Sequence, residues 1–245
     1  MKVSHIIYTP FLGLADFNPD NKWLLNRIRI FKQYTQESLG NQPTKFLHLM
    51  SFRKEDEYNP IMANFCSDLS FYPLFSGLLY YDDRFSEQSE KNRRLAERLN
   101  SLKVLENECK NADWIYFTRL DSDDMFAWNA FEEIMSQKPK EKTAFIFQNG
   151  YIYNHETDEM AGYNPDTCPP FYTICFPKDI FFDGKKHAEY MKGWKSHEDT
   201  VKIFKSVYLS DRKYCVLIHG KNTSTTWNHR FKGKPVDVNL LNQFI

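Results

Sequence analysis

Short apolar runs alternate along this chain with stretches in which apolar residues recur at helical spacing. Val3 to Tyr8 is a β-prone run stopped by Thr9-Pro10, and predicts a first strand. Asn18-Pro19-Asp20-Asn21 supplies turn and cap residues, after which Leu24, Ile28, Phe31 and Tyr34/Thr35 recur at helical spacing. A helix from Trp23 to about Leu39 follows, closed by Gly40-Asn41-Gln42-Pro43. Lys45 to Phe52 and Gly77 to Tyr81 read as the next strands, and Ser86 to Lys110 as a charged helix with Leu95, Leu99, Leu102 and Leu105 near one face. Trp114 to Leu120 is a buried strand running straight into Asp121-Ser122-Asp123-Asp124, and a helix from about Ala127 to Met135 comes next. Thr143 to Gln148, Tyr151 to Asn154 and Phe171 to Phe176 make a β-rich middle. A last helix is expected over Glu198 to Tyr208 and a last strand over Lys213 to His219. No repeat or linker interrupts this order, so one α/β domain over 1–245 is expected. Its architecture should be a mixed, mostly parallel central sheet flanked by helices.

Composition narrows the partners. Lys+Arg and Asp+Glu both count 32, so the formal net charge is zero. That excludes binding nucleic acid through bulk field and a polybasic membrane-surface role. The cysteines Cys66, Cys109, Cys168, Cys175 and Cys215 are odd in number with no CxxC, which fits reduced thiols better than disulfides or structural zinc. The opening MKVSHIIYTPFLGLADF lacks the long apolar stretch of a signal peptide, and no apolar run of about 18 residues is present to span a membrane. The expectation is a cytoplasmic protein, soluble or peripheral at the inner face of a membrane.

Three carboxylates in four residues, directly after a buried strand, repel one another unless a cation or donors compensate them. Aspartate oxygens suit Mg²⁺ or Mn²⁺, ions that bridge to phosphate oxygens. A plainer account is that Asp123 or Asp124 only caps the next helix. A calcium loop would place Asp121, Asp123 and Glu132 at positions one, three and twelve, but Phe126 stands where the sharp turn demands Gly. A phosphohydrolase nucleophile loop stays open as well.

The stretch Arg119-Leu120-Asp121-Ser122-Asp123-Asp124 resembles the DXD segment of GT-A glycosyltransferases, especially the rhamnosyltransferase family with its RLD-x-DD signature. Trp23 to Phe31 (WLLNRIRIF) and Ser38-Leu39-Gly40-Asn41-Gln42 resemble that family's first helix. The likeness returns at Gly150-Tyr151, Phe171-Tyr172-Thr173, His197-Glu198-Asp199 and His219-Gly220-Lys221-Asn222, and more distantly extends to chlorovirus and family-2 glycosyltransferases. It implies a GT-A fold and a Mn²⁺ or Mg²⁺ ion gripping a nucleotide-sugar diphosphate. Asp123 would be the surest ligand, Asp121 would touch the metal or the ribose, and Asp124 would support the site or cap the helix.

The resemblance also matches Glu198-Asp199 to the acidic pair of inverting GT-A enzymes, in which one carboxylate deprotonates the acceptor hydroxyl. Asp199 is the favoured base and Glu198 the alternative. Ser196 with Asp199 equally forms a plausible capping box, and the two readings coexist only if the capping and catalytic carboxylates differ. His219 ends an apolar run, and is either a satisfied core residue or the late histidine that completes the metal site in many GT-A enzymes. Lys221 to Pro235 carries Lys221, Arg230, Lys232 and Lys234 without an acidic residue, so it is either a solvated basic loop or a lid over the diphosphate. Arg230 and Lys221 are its phosphate-contact candidates. Arg119 either reaches the nucleotide or pairs with a neighbouring Asp, and Thr9 at the end of the first strand completes the nucleotide-sugar set.

The expected function is an inverting, metal-dependent glycosyltransferase. It would move a sugar (L-rhamnose or a hexose) from a UDP- or dTDP-sugar to a glycan or glycolipid hydroxyl. The rivals are a metal-dependent nucleotide-sugar phosphohydrolase and a non-catalytic carbohydrate-binding protein on the same fold.

Overall fold

The computed structural model describes residues 1–11, 20–53, 59–70, 75–81, 103–220, 222 and 225–245. The chain is a mixed α/β protein, and its strands form two sheets where one was expected. The larger holds seven strands in the order β10-β6-β9-β4-β1-β2-β3. These are β1 (Val3–Pro10), β2 (Leu47–Arg53), β3 (Phe75–Tyr81), β4 (Trp114–Arg119), β6 (Thr143–Ile146), β9 (Tyr172–Pro177) and β10 (Lys205–Tyr208). Parallel pairing joins β4, β1, β2 and β3, and joins β6 to β10. β9 runs antiparallel between β4 and β6, so the sheet is mixed. The smaller sheet has the order β12-β8-β7-β11-β5. Its strands are β5 (Met125–Phe126), β7 (Gly150–Asn154), β8 (Glu159–Tyr163), β11 (Tyr214–Ile218) and β12 (Lys232–Val236).

Successive residues of β1 point into different cores, as strand alternation requires of a sheet covered on both faces. Ile7 packs with Tyr116, Phe131 and Phe145 and with Ile152, Tyr214 and Val216 of the smaller sheet, so one core is shared by both sheets. Ile6 and Tyr8 face the other way, among Leu105, Ile115, Phe176, Phe181 and Tyr190. The helices Lys103–Glu108 and Gly184–Tyr190 cover that side. All five cysteines are buried and none is in a disulfide.

The first helix begins at Asn21 because Asp20 accepts the Trp23 amide at 2.7 Å. It runs to Ile30, widens into π-helical turns over Phe31–Gln36 and ends as Glu37–Gly40. Other expectations need correction. Glu198–Tyr208 is not one helix: a single turn, Thr200–Ile203, gives way at extended Phe204 to β10, whose Lys205–Tyr208 pairs with Thr143–Ile146. Backbone pairing along β6 outweighs the weak helical periodicity there. The basic segment to Pro235 is not a free lid throughout, since Lys232–Val236 is an edge strand on β8, with Pro235 where the ladder is irregular. Of the charged helix expected over Ser86–Lys110, the part before 103 lies outside the described residues. No helix among the described residues is long and apolar enough to cross a membrane.

Candidate functional site

From β1 the chain steps outward to β2 and β3, then returns to lay β4 on the other side of β1. Open α/β sheets take ligands in the crevice outside the carboxyl ends of strands at such a switch point. The acidic loop leaves β4 at this place. Leu120 donates its amide to the Tyr8 carbonyl at 3.0 Å, and Ser122 Oγ donates to the Phe11 carbonyl at 2.7 Å. The loop is thereby fastened to the end of β1. Its continuation, β5, pairs Met125 with Cys215 of β11, so the loop bridges the two sheets.

Each aspartate is already answered by a group of this chain. Asp121 receives Arg119 Nε at 2.9 Å, so Arg119 does pair with a neighbouring Asp. Asp123 receives the Arg27 guanidinium as a fork, NH1 to Oδ2 at 2.5 Å and NH2 to Oδ1 at 3.0 Å. Arg27 Nε donates to Ser122 Oγ at 3.0 Å. His219, from the end of β11, brings Nε2 to 3.2 Å from Asp123 Oδ2, so two of the expected metal ligands do meet. Asn222 Nδ2 donates to Asp123 Oδ2 at 3.3 Å, while its Oδ1 accepts the His219 amide at 2.8 Å. Asp124 accepts the Leu217 amide at 3.2 Å.

The electrostatics follow from these contacts. Burial works to raise the Asp123 carboxyl, but Arg27 and His219 prevail and hold it below the usual carboxylate range. Asp124 has no guanidinium of its own; burial, and then the charges of Asp123 and Asp121, push it well above that range.

A divalent ion does not fit this arrangement. Both oxygens of Asp123 are taken by Arg27, and Asp121 is paired with Arg119. No group of three His, Cys, Asp or Glu side chains gathers to hold a metal among the described residues.

The second acidic pair divides its labour. Ser196 and Asp199 form the capping box of the short 3-10 turn His197–Asp199. Asp199 Oδ2 accepts the Lys195 and Ser196 amides at 3.1 and 3.2 Å, and Oδ1 accepts Lys202 Nζ at 2.9 Å. Those bonds, Lys202 first, hold its carboxyl below the usual range, which suits a cap better than a base. Glu198 is exposed and carries no such set of bonds. His197 stands within electrostatic reach of Arg119 and Asp121; burial, then Arg119, lowers its pKa. The turn therefore lies beside the acidic loop.

Among the described residues, the remaining candidates Thr9 and Arg230 make no side-chain contact with the loop aspartates. Thr9 is fully buried, its Oγ1 3.0 Å from His48 Nε2 inside the sheet, so its side chain is not a nucleotide contact. Arg230 is exposed, lies over the Phe231 ring and faces Asp166 at 3.6 Å. Lys221 lies outside the described residues. Sequence reasoning missed Arg27, Ser122, Asn222 and His197. Arg27 had a signal: it sits three residues after Leu24 and four before Phe31, a charge inside the buried stripe of the first helix.

No family model matches the sequence, and no curated protein matches it significantly. Among solved structures, the chain is similar to a glycosyltransferase involved in the glycosylation of the major capsid of PBCV-1. Identity is 12% and the TM-score 0.37, over 90% of this chain and 94% of that one. It is also similar to the inositol-1-phosphate CTP transferase from T. maritima, at 9% identity and a TM-score of 0.38, over 99% and 96%. Both scores are too low for a shared function to follow, so the chemistry has to be reasoned from this chain's own residues.

Proposed function

We propose that this protein is a glycosyltransferase that moves a sugar from a nucleoside-diphosphate donor, UDP- or dTDP-linked, to a hydroxyl of a glycan or glycolipid. The observation that carries the reading is the place of the Asp121–Asp124 loop at the switch point between β1 and β4, with His219 converging on it from the second sheet. The base is assigned to Glu198, because Asp199 spends its oxygens on the cap. In an inverting displacement the acceptor oxygen forms its bond to the anomeric carbon as the bond to the diphosphate breaks. The acceptor proton passes to Glu198, and the electron pair of the broken bond leaves on the diphosphate oxygen. Fixed positive charge facing that oxygen stabilises the transition state more than the ground state. Arg27 and Arg119 are the guanidinium groups at the acidic loop.

The test is release of UDP or dTDP from a panel of nucleotide sugars, with and without saccharide acceptors. Release that depends on acceptor supports the reading. Release at the same rate without acceptor assigns a phosphohydrolase instead, and no release with any donor removes the transferase assignment.

A further inference from the structure

The acidic loop carries its own cation. Clustered carboxylates call for compensation, and the expected source was a divalent ion. Arg27 already takes that place. Its fork meets both Asp123 oxygens, its Nε meets Ser122, and Ser122 in turn holds the Phe11 carbonyl at the end of β1. The Arg27 side chain is 13% exposed and its guanidinium carbon lies 5.7 Å from the centre of the Trp23 ring, so it is packed into the wall and does not drift over the surface. His219 Nε2, the atom that would ligate an ion, lies 3.2 Å from both Arg27 NH1 and Asp123 Oδ2. An ion seated on Asp123 would stand against this buried guanidinium, cation beside cation, or displace it from its carboxylate, and both are unfavourable.

We infer that Arg27 occupies the cation position of this site, so that the donor diphosphate is held by a guanidinium and needs no divalent ion. The inference rests on the donor reading above. The chemistry is suited to it. A guanidinium cannot be deprotonated under ordinary conditions, and its planar fork matches phosphate oxygens as well as carboxylate. Five N–H bonds are available on an arginine. Nε gives one to Ser122 and NH1 and NH2 give one each to Asp123, while NH1 lies 3.2 Å from His219 Nε2. The second hydrogen of NH2 is left for a ligand oxygen. Asp123 thus orients the arginine, in the way a carboxylate orients a metal-bound histidine. Asp123 is then a positioning residue and Arg27 the group that touches the donor.

The experiment is calorimetric titration of the full chain with UDP and with dTDP, first in EDTA and then in excess Mn²⁺. A parallel Mn²⁺ titration is followed by the electron-spin resonance of the free ion. The expected result is nucleotide binding in EDTA with a Kd that Mn²⁺ does not tighten, and no uptake of Mn²⁺ by the protein alone. Arg27→Ala should weaken nucleotide binding by roughly tenfold or more, the usual worth of a charge-assisted hydrogen bond. Arg27→Lys, which keeps the charge and loses the fork, should fall between. Nucleotide binding that appears only with Mn²⁺, or Mn²⁺ uptake by the free protein, overturns the inference while leaving the donor reading intact. Absence of binding under both conditions overturns the two together. The wild-type arms decide the matter even where an Arg27 variant fails to fold.

Discussion

Arg27 and Asp123, 96 residues apart in the chain, meet twice over, nitrogen to oxygen, with neither side chain more than 13% exposed. Such a pair adds little net stability compared with a well-packed apolar replacement, yet losing one partner leaves a buried charge unanswered.

Arg27→Ala is therefore expected to lower unfolding stability by about 3–5 kcal/mol. The double variant Arg27→Met with Asp123→Leu should lose less than that single change, because no lone charge remains. Urea denaturation of the two proteins reads the difference. A loss below about 1 kcal/mol for Arg27→Ala would mean that water screens the pair, as at a surface.

Glu198 and Asp199 should separate cleanly. Asp199→Ala removes the capping carboxylate and is expected to lower stability by about 1 kcal/mol, the net worth of a typical hydrogen bond, while leaving most of the turnover. Glu198→Gln should leave the melting temperature unchanged and cut turnover by about 10²–10⁴, the usual contribution of a general base. Melting curves and kcat measured side by side check both halves. The opposite pattern would return the base to Asp199.

Acid should unfold this protein early. Burial lowers the pKa of His5 and His48 to about 3 and that of His187 to about 4. In the unfolded chain these groups take up protons near pH 6.5. Between about 6.5 and 3–4 the unfolded state binds more protons, so stability falls as pH falls, by about 1.4 kcal/mol per pH unit for each histidine fully within that window. The urea midpoint should therefore drop steadily from pH 7 to pH 5, before ordinary carboxylates titrate. A flat midpoint over that range would contradict the buried, neutral state of these side chains.

Gly220 turns the chain directly after His219 with φ of +70°, and a Cβ there would run into Glu156 Oε1. The Glu156 carboxylate can swing away, but the left-handed backbone remains. Gly220→Ala should cost about 1–2 kcal/mol. It should also weaken UDP or dTDP binding, because His219 and Asn222 lie on either side of the turn. Unchanged nucleotide binding in a destabilised Gly220→Ala protein would mean that the turn serves folding alone.

Much of the larger sheet is legible from the sequence, since β1, β2 and β4 are short, largely apolar and β-prone runs. Edge and hairpin elements are not. β8 (EMAGY) is short, and β12 (KGKPV) carries two lysines and a proline, which reads as loop until its pairing with β8 is known. The acidic loop and His219 can be found because carboxylates after a buried strand, and a histidine ending one, are unusual local patterns. Arg27 escapes because its meaning depends on a partner 96 residues away, which no local window contains. The division between Glu198 and Asp199 escapes for a different reason. Both fit either role by spacing, and only the bonds of Asp199 to the Lys195 and Ser196 amides tell them apart.

The central placing of β1 bears on how the chain comes off the ribosome. Its first strand ends inside the finished sheet, and Arg27 is made long before residues 119–123, with His219 and Asn222 later still. Domains generally fold as units, N-terminal parts first during synthesis. Here the earliest part carries an arginine whose carboxylate partner does not exist until residue 123 is made. A nascent chain arrested before residue 219 would carry the acidic loop without the histidine, so competence to hold a donor should arrive only once residues 219–222 are made.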